Sequence, residues 1–151
     1  MPLDFNDNLK LTFTGSGRPY RENEVWVRTQ VFNKKYGLLD HEYFAFKLPP
    51  ETTDGASIPR ICWLFIAPFD NRILNPSQPH NHLYAKKEKV LYGYIWNKVT
   101  GLTTGELTVT YDRLDADKMI EEKMKSYGAG PIVRKGVFVA VRLGGKKGYN
   151  T

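Results

Sequence analysis

Only one cysteine, Cys62, occurs in the 151 residues, which excludes an intrachain disulfide and any zinc cluster built from thiolates. It lies in the run Ile61-Cys62-Trp63-Leu64-Phe65-Ile66 and reads as a small buried hydrophobe. No window approaches the ~18 apolar residues that a membrane span requires. The start, Met1-Pro2-Leu3-Asp4-Phe5, lacks the basic and apolar regions of a secretory signal, so none is expected. Internal repeats and low-complexity stretches are missing. Long runs of one charge are missing too; the densest basic patches are Lys86-Lys87-Glu88-Lys89 and Lys146-Lys147.

What is present suits a globular chain: 41% hydrophobic, 13% aromatic and 25% charged residues, too apolar for disorder. At this length one domain spanning residues 1–151 is expected, burying roughly 70% of the surface its unfolded chain exposes. Twenty-two Lys and Arg against sixteen Asp and Glu give a net charge of +6. That excess permits contact with phosphates without requiring it. Because the basic residues are spread along the chain, nucleic acid is the least favoured partner on charge alone.

Hydrophobic patterning predicts an α+β fold: a small antiparallel sheet with an inserted β-hairpin, packed against three or four helices. Residues 9–14, 24–32 and 42–48 alternate with period two and read as three strands of that sheet. In the second, Val25, Val27, Thr29 and Val31 face one way and Trp26, Arg28, Gln30 and Phe32 the other. Pro49-Pro50 ends the third. Ser57 is a candidate N-cap and Pro59 fits a first helical turn, so a short buried helix is expected over the apolar run 61–67, with Pro68 stopping it. Residues 69–79 read as a loop, with Pro79 opening the segment that carries His80.

The inserted hairpin is expected at about 88–111. Val90, Tyr92, Tyr94 and Trp96 alternate in its first strand, Leu107, Val109 and Tyr111 in its second, and Thr100–Gly105 supply the turn. An amphipathic helix follows over about 115–127, with Ala116, Met119, Ile120 and Tyr127 on its apolar face and Asp112 or Asp115 as N-cap. Pro131 opens a last helix that places Ile132, Val133, Val137, Phe138, Ala140 and Val141 on or beside its buried face. Gly144-Gly145 ends it, and residues from about 145 to 151 are expected to fray.

Five polar residues are candidates for chemistry. Asp54 sits at a tight turn before a helix start, where it can accept backbone N–H bonds, and Arg60 can pair with it bidentately. His80-x-His82 offers imidazoles for a metal, but on a helix residues i and i+2 point apart and cannot share one ion, whereas on a strand they can. Asp117 lies at the edge of an apolar helix face, where a carboxylate can reach an interior polar site. Ser57 completes the set.

Thr53-Asp54-Gly55-Ala56-Ser57-Ile58-Pro59-Arg60, with Trp63 and Pro68 after it, resembles the signature of a phage and prophage domain family of unknown function, family 1353. His80 with Leu83-Tyr84, Ala116-Asp117 and Val141-Arg142-Leu143-Gly144 match further pieces in order, so the resemblance covers about residues 24 to 145. Asn81 departs from it, standing where the family pattern has aspartate, and is a poor general base and a weaker metal ligand. The stretch from Tyr84 to Ala116 is also longer than is usual there. The resemblance adds that Asp54, Ser57, Arg60, His80 and Asp117 flank apolar segments that must pack together; since buried polar groups need partners, they are expected to gather into one network, either a structural clasp or a hydrolytic or metal site.

The resemblance implies a phage virion-associated structural protein, in the tail or baseplate, acting through protein–protein contacts with other phage structural proteins or with its own copies. It would reside in the virion, or in the host cytoplasm during assembly. The exposed aromatics Tyr92, Tyr94 and Trp96 of a projecting hairpin would suit such contacts. The alternative is a metal-dependent hydrolase acting on host envelope material during infection or lysis, with His80, Asp117 and Asp54 holding a divalent metal such as zinc.

Overall fold

The computed structural model describes residues 11–13, 19–21, 25–49, 51–52 and 71–149. The octet with Asp54, Ser57 and Arg60, the expected helix over 61–67 and Cys62 all lie outside the described residues.

Alternation of β-branched and aromatic residues does build strands, but in two sheets. β1 (Leu11–Phe13), β2 (Pro19–Arg21) and β5 (Glu51–Thr52) form a small antiparallel sheet in the order β1-β2-β5. The main sheet is antiparallel in the order β3-β4-β6-β7, from β3 (Val25–Thr29), β4 (Glu42–Leu48), β6 (Val90–Asn97) and β7 (Thr103–Thr110). The expectation that the first three strands share one sheet is therefore corrected: the segment around Leu11 pairs with β2, not with β3 or β4. The expected hairpin forms, but it does not project: β6 pairs with β4 along Glu42–Phe46 and completes the main sheet. Its second strand starts at Thr103 rather than Glu106, so only residues 98–102 connect the two.

One face of this sheet is the core. Val25, Val27 and Thr29 lie beside Leu48, Phe46 and Phe44, with Leu91 and Val109 continuing the layer. β3 ends at Thr29, two residues before the last predicted inward Val31. The chain turns there, and Phe32, predicted to face outward, is fully buried instead. It packs edge-on against Phe44 at 5.6 Å between ring centroids and leads into the short helix α1 (Asn33–Tyr36). Each such ring stabilises the fold by about 1.5–3 kcal/mol relative to exposure.

Leu83 and Tyr84 of α2 (Asn71–Ala85) and Ala116 and Met119 of α3 (Arg113–Ser126) complete this core. α2 corrects the predicted loop, since helix begins at Asn71 and runs through Pro76 and Pro79. A proline inside a helix removes a backbone donor, but here residues 76–80 are all buried, and packing outweighs local propensity.

α3 starts two residues earlier than expected, with Asp112 as N-cap in a reciprocal box with Asp115. Glu122 ties it to the sheet by accepting from Thr29 Oγ1 at 2.7 Å and Gln30 N at 2.8 Å. α4 (Pro131–Gly144) packs on α3 through Val137, Ala140 and Val141 against Ile120 and Met124. Ile132 is not on that buried face: it is 80% exposed. Lys146–Gly148 form a 3-10 turn, and the Tyr149 ring stands edge-on to Tyr84 at 5.2 Å.

Candidate functional site

Three helices converge on one carboxylate. His80 and Tyr84 are four positions apart on α2 and so share a face, with ring centroids 4.2 Å apart. Asp117 comes from the first half of α3 and Arg142 from the last turn of α4. Asp117 is wholly buried and His80 is 2% exposed. Burying a carboxylate is costly unless its lone pairs are filled, and here they are. Asp117 Oδ1 accepts from His80 Nε2 at 2.9 Å and from the Tyr84 hydroxyl, while Oδ2 accepts from Arg142 Nη1 at 2.8 Å.

Burial alone would push the Asp117 carboxyl upward, but the hydrogen bonds from His80, Tyr84 and Arg142, with the positive charge His80 carries when it is protonated, outweigh it and hold the group below the usual carboxylate range. The same burial, together with the bond to Asp117, drives the Tyr84 phenol well up, so it stays protonated and donates. An ionised carboxylate can only accept; His80 therefore carries its hydrogen on Nε2. When the ring is neutral that leaves Nδ1 with a lone pair, and among the described residues this buried atom has no hydrogen-bond partner.

The backbone around the node is adapted to it. Arg113, at the start of α3, donates to the carbonyls of Val141 at 3.2 Å and Arg142 at 2.9 Å, satisfying the end of α4. A Cβ at Gly145 would lie 2.4 Å from the Val141 carbonyl oxygen and 3.1 Å from the Tyr84 hydroxyl, so only glycine lets the chain pass this close. Lys89 closes the other end of α2 by donating to the carbonyls of Leu83, Tyr84 and Lys86. Burial and the charge of Lys86 push its ammonium pKa down. The densest basic patch of the sequence thus commits one of its lysines to a helix end.

Of the five residues expected to converge, His80 and Asp117 meet, whereas Asp54, Ser57 and Arg60 lie outside the described residues. His82 does not join His80: both are on α2, where i and i+2 diverge. Tyr84 and Arg142 belong to the network and were missed as site residues. The His-x-x-x-Tyr spacing on one helix face was the available signal for Tyr84. Among the described residues no group of three His, Cys, Asp or Glu could hold a metal. Asp117 already has both oxygens occupied, so His80 Nδ1 is the ligand atom this cluster offers a cation, and any further ligands would have to come from elsewhere, Asp54 included.

A family model described as "Protein of unknown function (DUF1353)" matches residues 40–141. The chain belongs to the DUF1353 family. The matched span runs from just before β4 almost to the end of α4 and contains His80, Tyr84 and Asp117; Arg142 lies one residue beyond it. No curated protein and no solved structure matches the chain. No helix among the described residues is long and apolar enough to cross a membrane.

Proposed function

We propose that this DUF1353 chain is a hydrolase in which His80 Nδ1 takes a proton from the attacking water as that water's oxygen bonds to the substrate, while Asp117 fixes and polarises the ring. The observation that supports this is the buried imidazole anchored by a carboxylate on one nitrogen and left, among the described residues, without a partner on the other. A clasp has no use for that second nitrogen; a general base or a metal ligand does. Asp117 and Tyr84 are positioning residues, and Asp54, Ser57 and Arg60 are the candidates for the remaining polar groups. Host envelope material is the proposed substrate, and zinc is the proposed metal if His80 Nδ1 acts as a ligand.

The test is release of soluble fragments from purified bacterial cell wall, with and without added zinc, by the natural protein and by His80→Ala. The variant is expected to be slower by about 10²–10⁴-fold while keeping its circular dichroism spectrum. A natural protein that releases nothing under either condition overturns the reading. Elemental analysis of protein purified without chelator separates the two roles, since a ligand loses its metal in His80→Ala and a plain base has none to lose.

A second reading, a virion-associated structural protein of the tail or baseplate, draws support from α4. Ile132, Val139 and Leu143 are 80%, 52% and 83% exposed, and their spacing puts them on one helical stripe, facing away from Val137 and Val141. Such a stripe suits contact with another copy or another phage protein. Absence of the protein from purified particles, with a monomer in sedimentation, counts against it.

A further inference from the structure

The two edges of the main sheet are finished differently. β3 is 5 residues long, and α3 covers its outward backbone: Lys123 donates to the Arg28 carbonyl, and Glu122 accepts from Gln30 N at 2.8 Å. β7 is 8 residues long and ends the sheet on the other side, and among the described residues no strand lies beyond it. Edge strands are normally blunted by lysine, proline or a covering element, because their unpaired N–H and C=O groups are a template for another strand. β7 contains no lysine, arginine or proline, although the chain has 22 Lys and Arg and 9 prolines.

The register decides which of its backbone groups point outward. Tyr111 N donates to the Lys89 carbonyl at 3.1 Å, so Tyr111, Val109 and Leu107 turn their groups toward β6. The alternate residues Thr110, Thr108 and Glu106 turn theirs away. α1 caps the first of these: the Tyr36 hydroxyl accepts from Thr110 N at 2.8 Å, and Lys35 donates to the Thr110 carbonyl at 3.0 Å. Beyond that cap the edge is open. Thr108, Glu106, Gly105 and Thr104 are all exposed. The irregular step of the hairpin falls between Ile95 and Trp96, toward Thr103, and leaves the pairing from Gly105 to Thr110 regular.

We infer that β7 pairs antiparallel with β7 of a second copy about a two-fold axis through Leu107, so that two four-stranded sheets become one. That register sets Glu106 of each copy opposite Thr108 of the other. The outward groups of these residues exchange hydrogen bonds, and no like charges stand directly opposite. An axis through Glu106 would instead oppose two carboxylates, which destabilises a strand pair. Charge also favours a second copy over a charged peptide. Glu106 is the single charge in β7, and a chain of net charge +6 meets itself with least repulsion along a strand that carries no cation. The pairing uses neither the His80 node nor the exposed stripe of α4.

Sedimentation equilibrium over roughly 1–100 μM protein is expected to show dimers that dissociate on dilution. Thr108→Pro removes an N–H that β6 does not use, a change an edge strand tolerates. It should weaken the dimer by about tenfold or more while the circular dichroism spectrum stays the same. Glu106→Lys, which supplies each copy with the missing edge lysine, should weaken it likewise. Leu143→Ser, on the α4 stripe, should leave the dimer intact. A monomer at every concentration overturns the inference. So does a dimer that both β7 variants leave within about twofold of the natural affinity, or one that Leu143→Ser disperses.

Discussion

Asp117 and Arg142, 25 positions apart, meet at 2.8 Å with the carboxylate wholly buried and the guanidinium 34% exposed. One end of the polar node is therefore sealed and the other touches solvent. His80, Tyr84 and Arg142 each donate to this single acid, which makes it the group whose loss is felt most widely.

Replacing Asp117 by Asn keeps the shape but removes the charge and sets an amide N–H₂ against a donor. Breaking a buried ion pair by removing one partner costs about 3–5 kcal/mol. A loss of about 3 kcal/mol is expected in urea unfolding of Asp117→Asn. A loss below about 1 kcal/mol would mean that the node does not hold the helices.

Acid should undo the same contact. The Asp117 carboxyl lies below its ordinary range when folded, so unfolded chains bind its proton more readily. Its contribution is complete above the unfolded value of about 4 and is lost as pH falls through the lower folded value. The thermal midpoint should drop below about pH 4, and part of that drop should vanish in Asp117→Asn. Parallel pH profiles for the two proteins would contradict this.

Gly93, in the middle of β6, is expected to be intolerant of any side chain. A Cβ there would lie 2.1 Å from the Ala45 carbonyl oxygen and 2.8 Å from the Phe44 ring. The oxygen belongs to a neighbouring strand and cannot swing aside. Gly93→Ala should cost about 1–3 kcal/mol, read as a lowered denaturation midpoint. Gly105→Ala, with nothing within 4 Å of the new carbon, is the control and should be close to neutral.

Much of this architecture is legible in the chain because period-two alternation survives wherever one sheet face is buried. β4 is found at 42–48 as predicted, and the inward set of β3 holds from Val25 to Thr29. Pairing partners are not legible, since alternation says nothing about which strand lies beside which, and so β1 was assigned to the wrong sheet and the hairpin to the periphery. α2 was hidden because Pro76 and Pro79 read locally as loop, while the packing that overrides them comes from residues far along the chain. At the node, the expectation that His80 and Asp117 meet comes from the family resemblance, which sets both beside apolar segments, joined to the need of buried polar groups for partners. Arg142 had no such signal, because an arginine in a last helical turn usually serves only the helix end.

The two prolines of α2 carry a consequence for the order of assembly. Each costs an isolated helix about 3 kcal/mol, so residues 71–85 cannot hold this shape alone and rest on α3. During synthesis that partner emerges later, and α4 later still. The imidazole at the heart of the molecule thus has no lid until the C-terminal helices have been made.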